Sequence, residues 1–357
     1  MKHLRGLMES ENIDVLYIIR SGVFAFASAY KKLTDSYAGN AIVIPRDGDA
    51  TLLCNPTDFE EAKDESWIRV REIEDRSKID EYVADFVLEH LSSNGSKFGV
   101  SMSGRSALSY SSYEYYKERL KTEIVDITPN ILSKVFCGLY PGEVKYQRKV
   151  SKLADIAVAA ARESLVPGMT EIEVAAEANY AMMRRGTEMQ SFPTIISSGE
   201  RAGLCHGWPG ERKLKKGDLV IIDLGPLKDG YAADESRTYL VGGGDEKKHR
   251  MLNAVDKSVQ AVLDRVKPGV KCKDLDLISR HVLEEHGFPD YPHTLGHTLS
   301  GFLIPTLSKT SEQILDEGMV FTIEPGIYLP NYGGVRFEEN VVVTEDGCEL
   351  LTKNPRI

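Results

Sequence analysis

An internal repeat constrains this chain more tightly than any other feature of its sequence. Pro167-Gly168 through Arg185-Gly186 recur as Pro268-Gly269 through His286-Gly287, an offset of 101 residues. The same offset pairs Asp155, Val158 and Ala160 with Asp256, Val259 and Ala261. Further on it pairs Leu214, Gly217, Ile222, Asp223 and Gly225 with Leu315, Gly318, Ile323, Glu324 and Gly326. A long unit present only twice predicts two pseudosymmetric halves of one domain, because solenoids stack more and shorter units. Each half reads as helix, helix, strand. Val150, Leu153, Ala154, Ala157, Val158 and Ala161 form the apolar stripe of the first helix, and Thr170 with Glu173 spell a capping box that opens the second.

The repeat sets an acid at one equivalent point in each half. Asp223 interrupts the apolar run LVIIDLG, and Glu324 interrupts MVFTIEPG. An ionised carboxylate left unpaired in such surroundings is costly, and protonates if nothing neutralises it. Each strand is followed by a partner with a second acid. Asp223 and Asp234 flank the turn Lys228-Asp229-Gly230, so a hairpin there predicts that they stand opposite each other. Glu324 and Glu338 flank the longer turn Asn331-Tyr332-Gly333-Gly334. Two hairpins meeting about a pseudo-twofold axis bring four carboxylates to one place, and two divalent cations balance four negative charges. His297, in HTLGH with His293, supplies a nitrogen. Taken singly, each acid reads as a turn residue or half of an ion pair; their symmetric placement is what points to metal. Oxygen donors with one imidazole suit Mn, Co, Zn or Fe, with Mn the first choice. Two such ions close together can hold a bridging hydroxide and polarise a carbonyl, the chemistry of hydrolysis.

Residues 1–132 read differently. Short strands (Ile13 to Ile19, Ala41 to Ile44, Lys97 to Val100, Glu123 to Val125) alternate with helical patterns around Ile79, Val83, Phe86 and Val87 and across the Tyr-rich segment Ser111 to Leu120. That alternation predicts an α/β domain. The breakers at Thr128-Pro129-Asn130 and Gly138 to Gly142 mark a boundary before a second, α+β domain at 140–357. The chain has 357 residues with 44 basic and 54 acidic side chains, a net charge of −10. That balance offers no electrostatic footprint for nucleic acid or anionic membrane. Five cysteines with no CxxC pair argue against a disulfide framework and a zinc–thiolate site. No apolar run reaches the length of a membrane span, and the polar start MKHLRGLMESENID lacks a signal-peptide core. A cytoplasmic location is the resulting expectation.

The segments HGWPGERKLKKGDLVIIDLGPLKDGYAADESRT, HTLGH, EGMVFTIEPGIY and GGVRFEENVVV resemble the pita-bread (creatinase/aminopeptidase-like) metallopeptidases, which include Xaa-Pro dipeptidases (prolidases), Xaa-Pro aminopeptidases and methionine aminopeptidases. A whole N-terminal domain, similar to the creatinase/prolidase type, favours the Xaa-Pro branch. The resemblance implies that Asp223, Asp234, His297, Glu324 and Glu338 ligate two divalent ions, with Asp234 and Glu338 bridging and Glu324 shuttling the proton. It further implies that His206 contacts substrate, that His293 lines the proline side, and that Arg336 stands beside the last ligand. Arg237 and Thr238 support the ligands, and Ser236 replaces the usual Thr. The implied activity is cleavage of Xaa-Pro dipeptides by a metal-bridged hydroxide, in a homodimer. The alternatives are an Xaa-Pro aminopeptidase acting on longer peptides, or a metal-binding relative with weak or no turnover. The last follows from one departure: members of the family carry a further histidine some seven residues after the ligand histidine, where this chain has Ile304.

Overall fold

The computed structural model describes residues 1–19, 39–92, 95–102, 107–299 and 304–357. They fall into two compact units, Met1–Cys137 and a second that begins at Gly138.

In the first unit six strands form one sheet in the order β4-β3-β2-β1-β5-β6, with β1 Ile13–Ile18, β2 Ala41–Pro45, β3 Thr51–Cys54, β4 Arg69–Glu72, β5 Lys97–Val100 and β6 Glu123–Asp126. Strand β1 is buried throughout, because both faces of the sheet are covered and a two-residue period then puts apolar side chains on each. Leu16 and Ile18 pack with Leu4 and Met8 of α1 (Lys2–Ser10), Ala62 of α2 (Phe59–Glu65), Ile131 and Leu132. Val15 and Tyr17 pack with Val83 and Val87 of α3 (Ile79–His90) and Tyr116 of α4 (Tyr110–Leu120). The breakers Thr128-Pro129-Asn130 lie near the end of the first unit, which closes at Cys137. They start a helical turn, Thr128–Leu132, that plugs Ile131 and Leu132 into this core. Proline is compatible there because the first turn of a helix has no use for its missing N–H.

The second unit carries the repeat as structure. Helices α5 (Val144–Glu163) and α6 (Glu171–Arg184) belong to the first half, α7 (Glu246–Leu263) and α8 (Cys272–Glu285) to the second. Val150, Leu153, Ala154, Ala157, Val158 and Ala161 are the buried stripe of α5. The backbone repeats bond for bond. Gly168 N–H donates to Leu214 C=O (2.9 Å) and Gly269 N–H to Leu315 C=O (2.8 Å); Glu171 donates to Arg212 (3.1 Å) and Cys272 to Gln313 (2.8 Å). The Thr170/Glu173 capping box opens α6; α8 starts on Lys271 with no side-chain cap.

After two short strands, β7 Met189–Gln190 and β8 Ile195–Ser198, strand β9 (Leu219–Leu224) runs into the hairpin β10 (Pro226–Lys228) and β11 (Tyr231–Ala232) and returns as β12 (Glu235–Leu240). In the second half, β13 (Gly296–His297) pairs with β14 (Thr306–Leu307). Strand β15 (Val320–Ile323) leads into the hairpin β16 (Gly326–Leu329) and β17 (Gly333–Arg336), and β18 (Glu339–Val343) returns to pair with β15 and β19 (Cys348–Leu350). The register corrects one expectation. Asp223 faces Ser236, and Leu227 faces Ala232, which sets Asp234 opposite Gly225. The two acids share a face but sit diagonally, two residues out of register. In the second half Ile323 faces Glu339 and Gly326 faces Arg336, so Glu324 and Glu338 do stand opposite each other.

The two halves are stitched where the return strands meet. Glu338 N–H donates to Ser236 C=O (3.0 Å). Asp234 N–H donates to Asn340 Oδ1 (3.1 Å), and Asn340 Nδ2 donates back to Asp234 C=O. Thr238 Oγ1 donates to Arg336 C=O (3.0 Å) and accepts from Arg336 N–H (3.0 Å). These antiparallel bonds centre on Ser236 and Glu338, so the pseudo-twofold axis runs between those two residues.

Candidate metal centre

Strand ends and one short bridge carry the site. Asp223 ends the apolar run of β9, Asp234 enters β12, Glu324 follows β15, and Glu338 sits between β17 and β18. His297, on β13, is placed by its own N–H, which donates to Thr322 Oγ1 (3.1 Å). Gly296 lets that strand lie against β15, since a Cβ built there would overlap Thr322 C=O.

Asp234, His297 and Glu338 offer ligand atoms all within 4.8 Å of one another. His297 Nε2 is 3.5 Å from both Asp234 Oδ2 and Glu324 Oε1. Its Nδ1 lies 3.0 Å from Thr298 C=O, an acceptor only, so Nδ1 donates there and Nε2 is the nitrogen turned toward the acids. Asp223 is ion-paired with Arg336. Asp223, Asp234 and Glu338 are buried. Burial, and then Glu338, Asp223 and Glu324, push the Asp234 carboxyl well above its usual range. Burial followed by Glu324 and Asp223 does the same to Glu338, and burial raises Glu324 as well. All four acids therefore share one field.

This geometry tests whether the residues fit metal ions. Asp223 Oδ1, Asp234 Oδ1 and Glu338 Oε1 are buried oxygens with no hydrogen-bond partner among the described residues. Such groups are nearly always satisfied in folded proteins. Lone pairs from three acids beside a free imidazole nitrogen are what hard divalent cations coordinate. The donor set fits.

The supports are specific. Arg336 is buried, donates from Nε to Ser236 Oγ (2.9 Å) and from Nη1 to Cys205 C=O (3.0 Å) and Tyr328 Oη (2.9 Å). Burial opposes its charge, and Tyr328, Asp223 and Glu324 outweigh that. Ser236 Oγ in turn donates to Glu338 Oε2 (2.8 Å). Arg237 is fully buried. Its guanidinium donates to the carbonyls of Ser236 (2.9 Å), Glu338 (2.6 Å) and Asn354 (2.8 Å), and pairs with Glu339 at 2.9 Å. Thr238 makes the cross-axis bonds to Arg336 described above.

His293 Nδ1 donates to Thr294 C=O (2.8 Å), and its Nε2 accepts from Tyr328 Oη (2.9 Å). Burial depresses its pKa to about 4, so the ring is neutral. His206 is exposed and close enough to His293 to depress it further. Ile304 is described and half-buried; residues 300–303, between it and His297, lie outside the described residues. Sequence reasoning missed Tyr328 and Asn340. Both had a signal, a polar group on or beside a strand that is otherwise apolar, at PGIY and EENVVV. Cys205 contributes its carbonyl, while burial pushes its thiol up.

Two family models cover most of the chain: metallopeptidase family M24 matches residues 145–345, and the creatinase/prolidase N-terminal domain matches residues 1–134. The Xaa-Pro dipeptidase of Pyrococcus furiosus is 35% identical over 100% of this chain and 98% of its own. Among solved structures, the prolidase from Pyrococcus horikoshii superposes with a TM-score of 0.90 at 33% identity, over 99% of this chain and 98% of that one. The X-Pro aminopeptidase from Thermotoga maritima reaches 0.88 at 26% identity, covering 99% and 98%. Fold, N-terminal domain and site segments thus agree: the chain belongs to metallopeptidase family M24.

Proposed function

We propose that this metallopeptidase is an Xaa-Pro dipeptidase that works with two divalent ions, manganese first among them. Asp223, Asp234, His297, Glu324 and Glu338 are its ligands. The observation that carries this reading is the set of orphaned carboxylate oxygens beside the His297 lone pair, in a chain whose full-length relatives include Xaa-Pro dipeptidases. Bound there, divalent ions supply Lewis-acid polarisation of the scissile carbonyl and a water acidic enough to attack at neutral pH.

The side chains do the rest. Glu324 is half-buried with its carboxyl raised by desolvation, so it accepts a proton at Oε2 and returns it to the leaving amine. Its Oε1 is held by Thr322 Oγ1 at 3.4 Å. His293 has both nitrogens engaged, by Thr294 and Tyr328. What it offers a proline is therefore a neutral ring face. His206, exposed above it, contacts the peptide. Arg336 pairs with Asp223 and orients it.

Ile304 supports a second reading, in which metal binds but turnover is slow. Losing one donor to a developing oxyanion costs about 10²–10³ in rate. The test is to chelate the protein, reload it with Mn or Co, and assay Ala-Pro, Ala-Pro-Ala and Ala-Ala. Metal-restored release of proline from the first alone supports the dipeptidase, and cleavage of the tripeptide supports an aminopeptidase. Binding without turnover supports the second reading.

A further inference from the structure

Glu171 has no part in the metal centre, yet it is a carboxylate with no solvent exposure. Such a group is tolerated only when its lone pairs are filled. Here they are filled from one loop. Oε1 accepts from Ser198 N–H (2.8 Å) and Ser198 Oγ (2.7 Å). Oε2 accepts from Gly210 N–H (3.0 Å) and Arg201 Nε (3.2 Å). Ser198 and Gly210 are the two ends of the excursion between β8 and the return towards β9, and that excursion carries Cys205, His206 and Trp208. Arg201, held by Glu171, reaches on to Trp208 C=O (2.6 Å). Beside His206, Gly207 C=O accepts from Ser197 Oγ (3.0 Å), and a Cβ on Gly207 would overlap that oxygen.

The repeat supplies an internal control. The residue 101 positions after Glu171 is Cys272, which is buried at the same place on α8 and makes the same backbone bond to its strand. The helix–strand scaffold therefore closes without a carboxylate. What the first half has in addition is the loop bearing His206, whose neighbour Cys205 accepts at its carbonyl from Arg336 Nη1 (3.0 Å) in the site.

We infer that Glu171 is a positioning residue that staples both ends of the loop 198–210 and so fixes His206 over the peptide side of the site. The loop's order stands on the geometry alone; its effect on peptide capture rests on the dipeptidase reading. Trp208 makes the two separable. The chain has two tryptophans, and Trp67 belongs to the other unit, so a Trp67→Phe background leaves Trp208, itself 67% exposed, as the reporter.

In that background, Glu171→Gln and Glu171→Cys are compared with Glu171 and with the conservative Glu171→Asp. Expected are an acrylamide quenching constant for Trp208 raised about twofold and Mn affinity within about twofold of the parent. KM for Ala-Pro should rise about tenfold with kcat falling less than about threefold, and Glu171→Asp should recover part of each. Unchanged quenching and KM would overturn the inference. So would Mn affinity falling in parallel with KM, or failure of Glu171→Cys to fold, since either makes Glu171 part of the general scaffold. If no peptide is cleaved by any form, the dipeptidase reading fails while quenching still decides the staple.

Discussion

Arg336 occupies in the second repeat the position that Asp234 occupies in the first. The cross-axis bonds pair Asp234 with Asn340 and Thr238 with Arg336 about a centre between Ser236 and Glu338. The two halves are alike in backbone but not in charge. Replacing one acid by a cation at this point leaves four carboxylates instead of a symmetric larger set, and directs the cation at Asp223.

That pairing gives a first expectation. In chelated protein, Arg336→Met should lower unfolding free energy by about 3–5 kcal/mol, the usual loss when one partner of a buried pair is removed. Urea titration measures it. An effect below about 1 kcal/mol would mean that Asp223 does not depend on Arg336.

The raised carboxyls predict a pH dependence with a definite sign. Asp234 and Glu338 titrate above their ordinary values of 3.8 and 4.5 in the folded chain. Their contribution to stability is thus complete below those values and is lost as pH rises through the folded ones. Chelated protein should melt at progressively lower temperature from about pH 5 to pH 8, with added Mn raising Tm more at pH 8. Glu338→Gln should flatten the slope in chelator. A melting temperature that climbs with pH in chelated wild type contradicts this.

Ser236 bridges Arg336 to Glu338. Ser236→Ala should weaken Mn binding by about 10–100-fold, the usual cost of losing a ligand's supporting partner, while Ser236→Thr keeps the hydroxyl and should stay close to wild type. Calorimetric titration with Mn separates the two.

His293, with its pKa depressed to about 4 by burial, should remain neutral through the range in which other histidines charge. Imidazole nitrogen spectra of metal-free protein should show one ring keeping its Nδ1 proton and a free-base Nε2 at pH 5. In Tyr328→Phe the Nε2 shift should move, because its donor is gone. Protonation of every ring by pH 5 would refute the assignment.

Much of this was legible before the structure, for identifiable reasons. The repeat at 101 residues is a covalent fact, and it maps directly onto matched hydrogen bonds at Leu214 and Leu315. Acids inside apolar runs, Asp223 and Glu324, stand out because burial penalises them. Register was not legible. A turn signal at Asp229-Gly230 locates a hairpin, but the residue opposite Asp223 depends on tight pairing through Leu227 and Ala232, and it is Ser236. Supports distant in sequence were hidden too. Tyr328 reaches His293 35 positions away, Asn340 reaches Asp234 106 away and Glu171 reaches Ser198 27 away, and local patterns carry no information about such contacts. The helical turn at Thr128 to Leu132 was not legible, because a proline that breaks a helix interior also starts one well.

The central claim is that the carboxylates around the pseudo-twofold axis exist to hold a pair of divalent ions. Calorimetric titration of chelated protein with Mn, cross-checked by elemental analysis after gel filtration, tests it most directly. Two ions per chain in wild type, and a loss of at least one in both Asp234→Asn and Glu338→Gln, is the expected result. No binding, or binding equally tight in all three proteins, would contradict it.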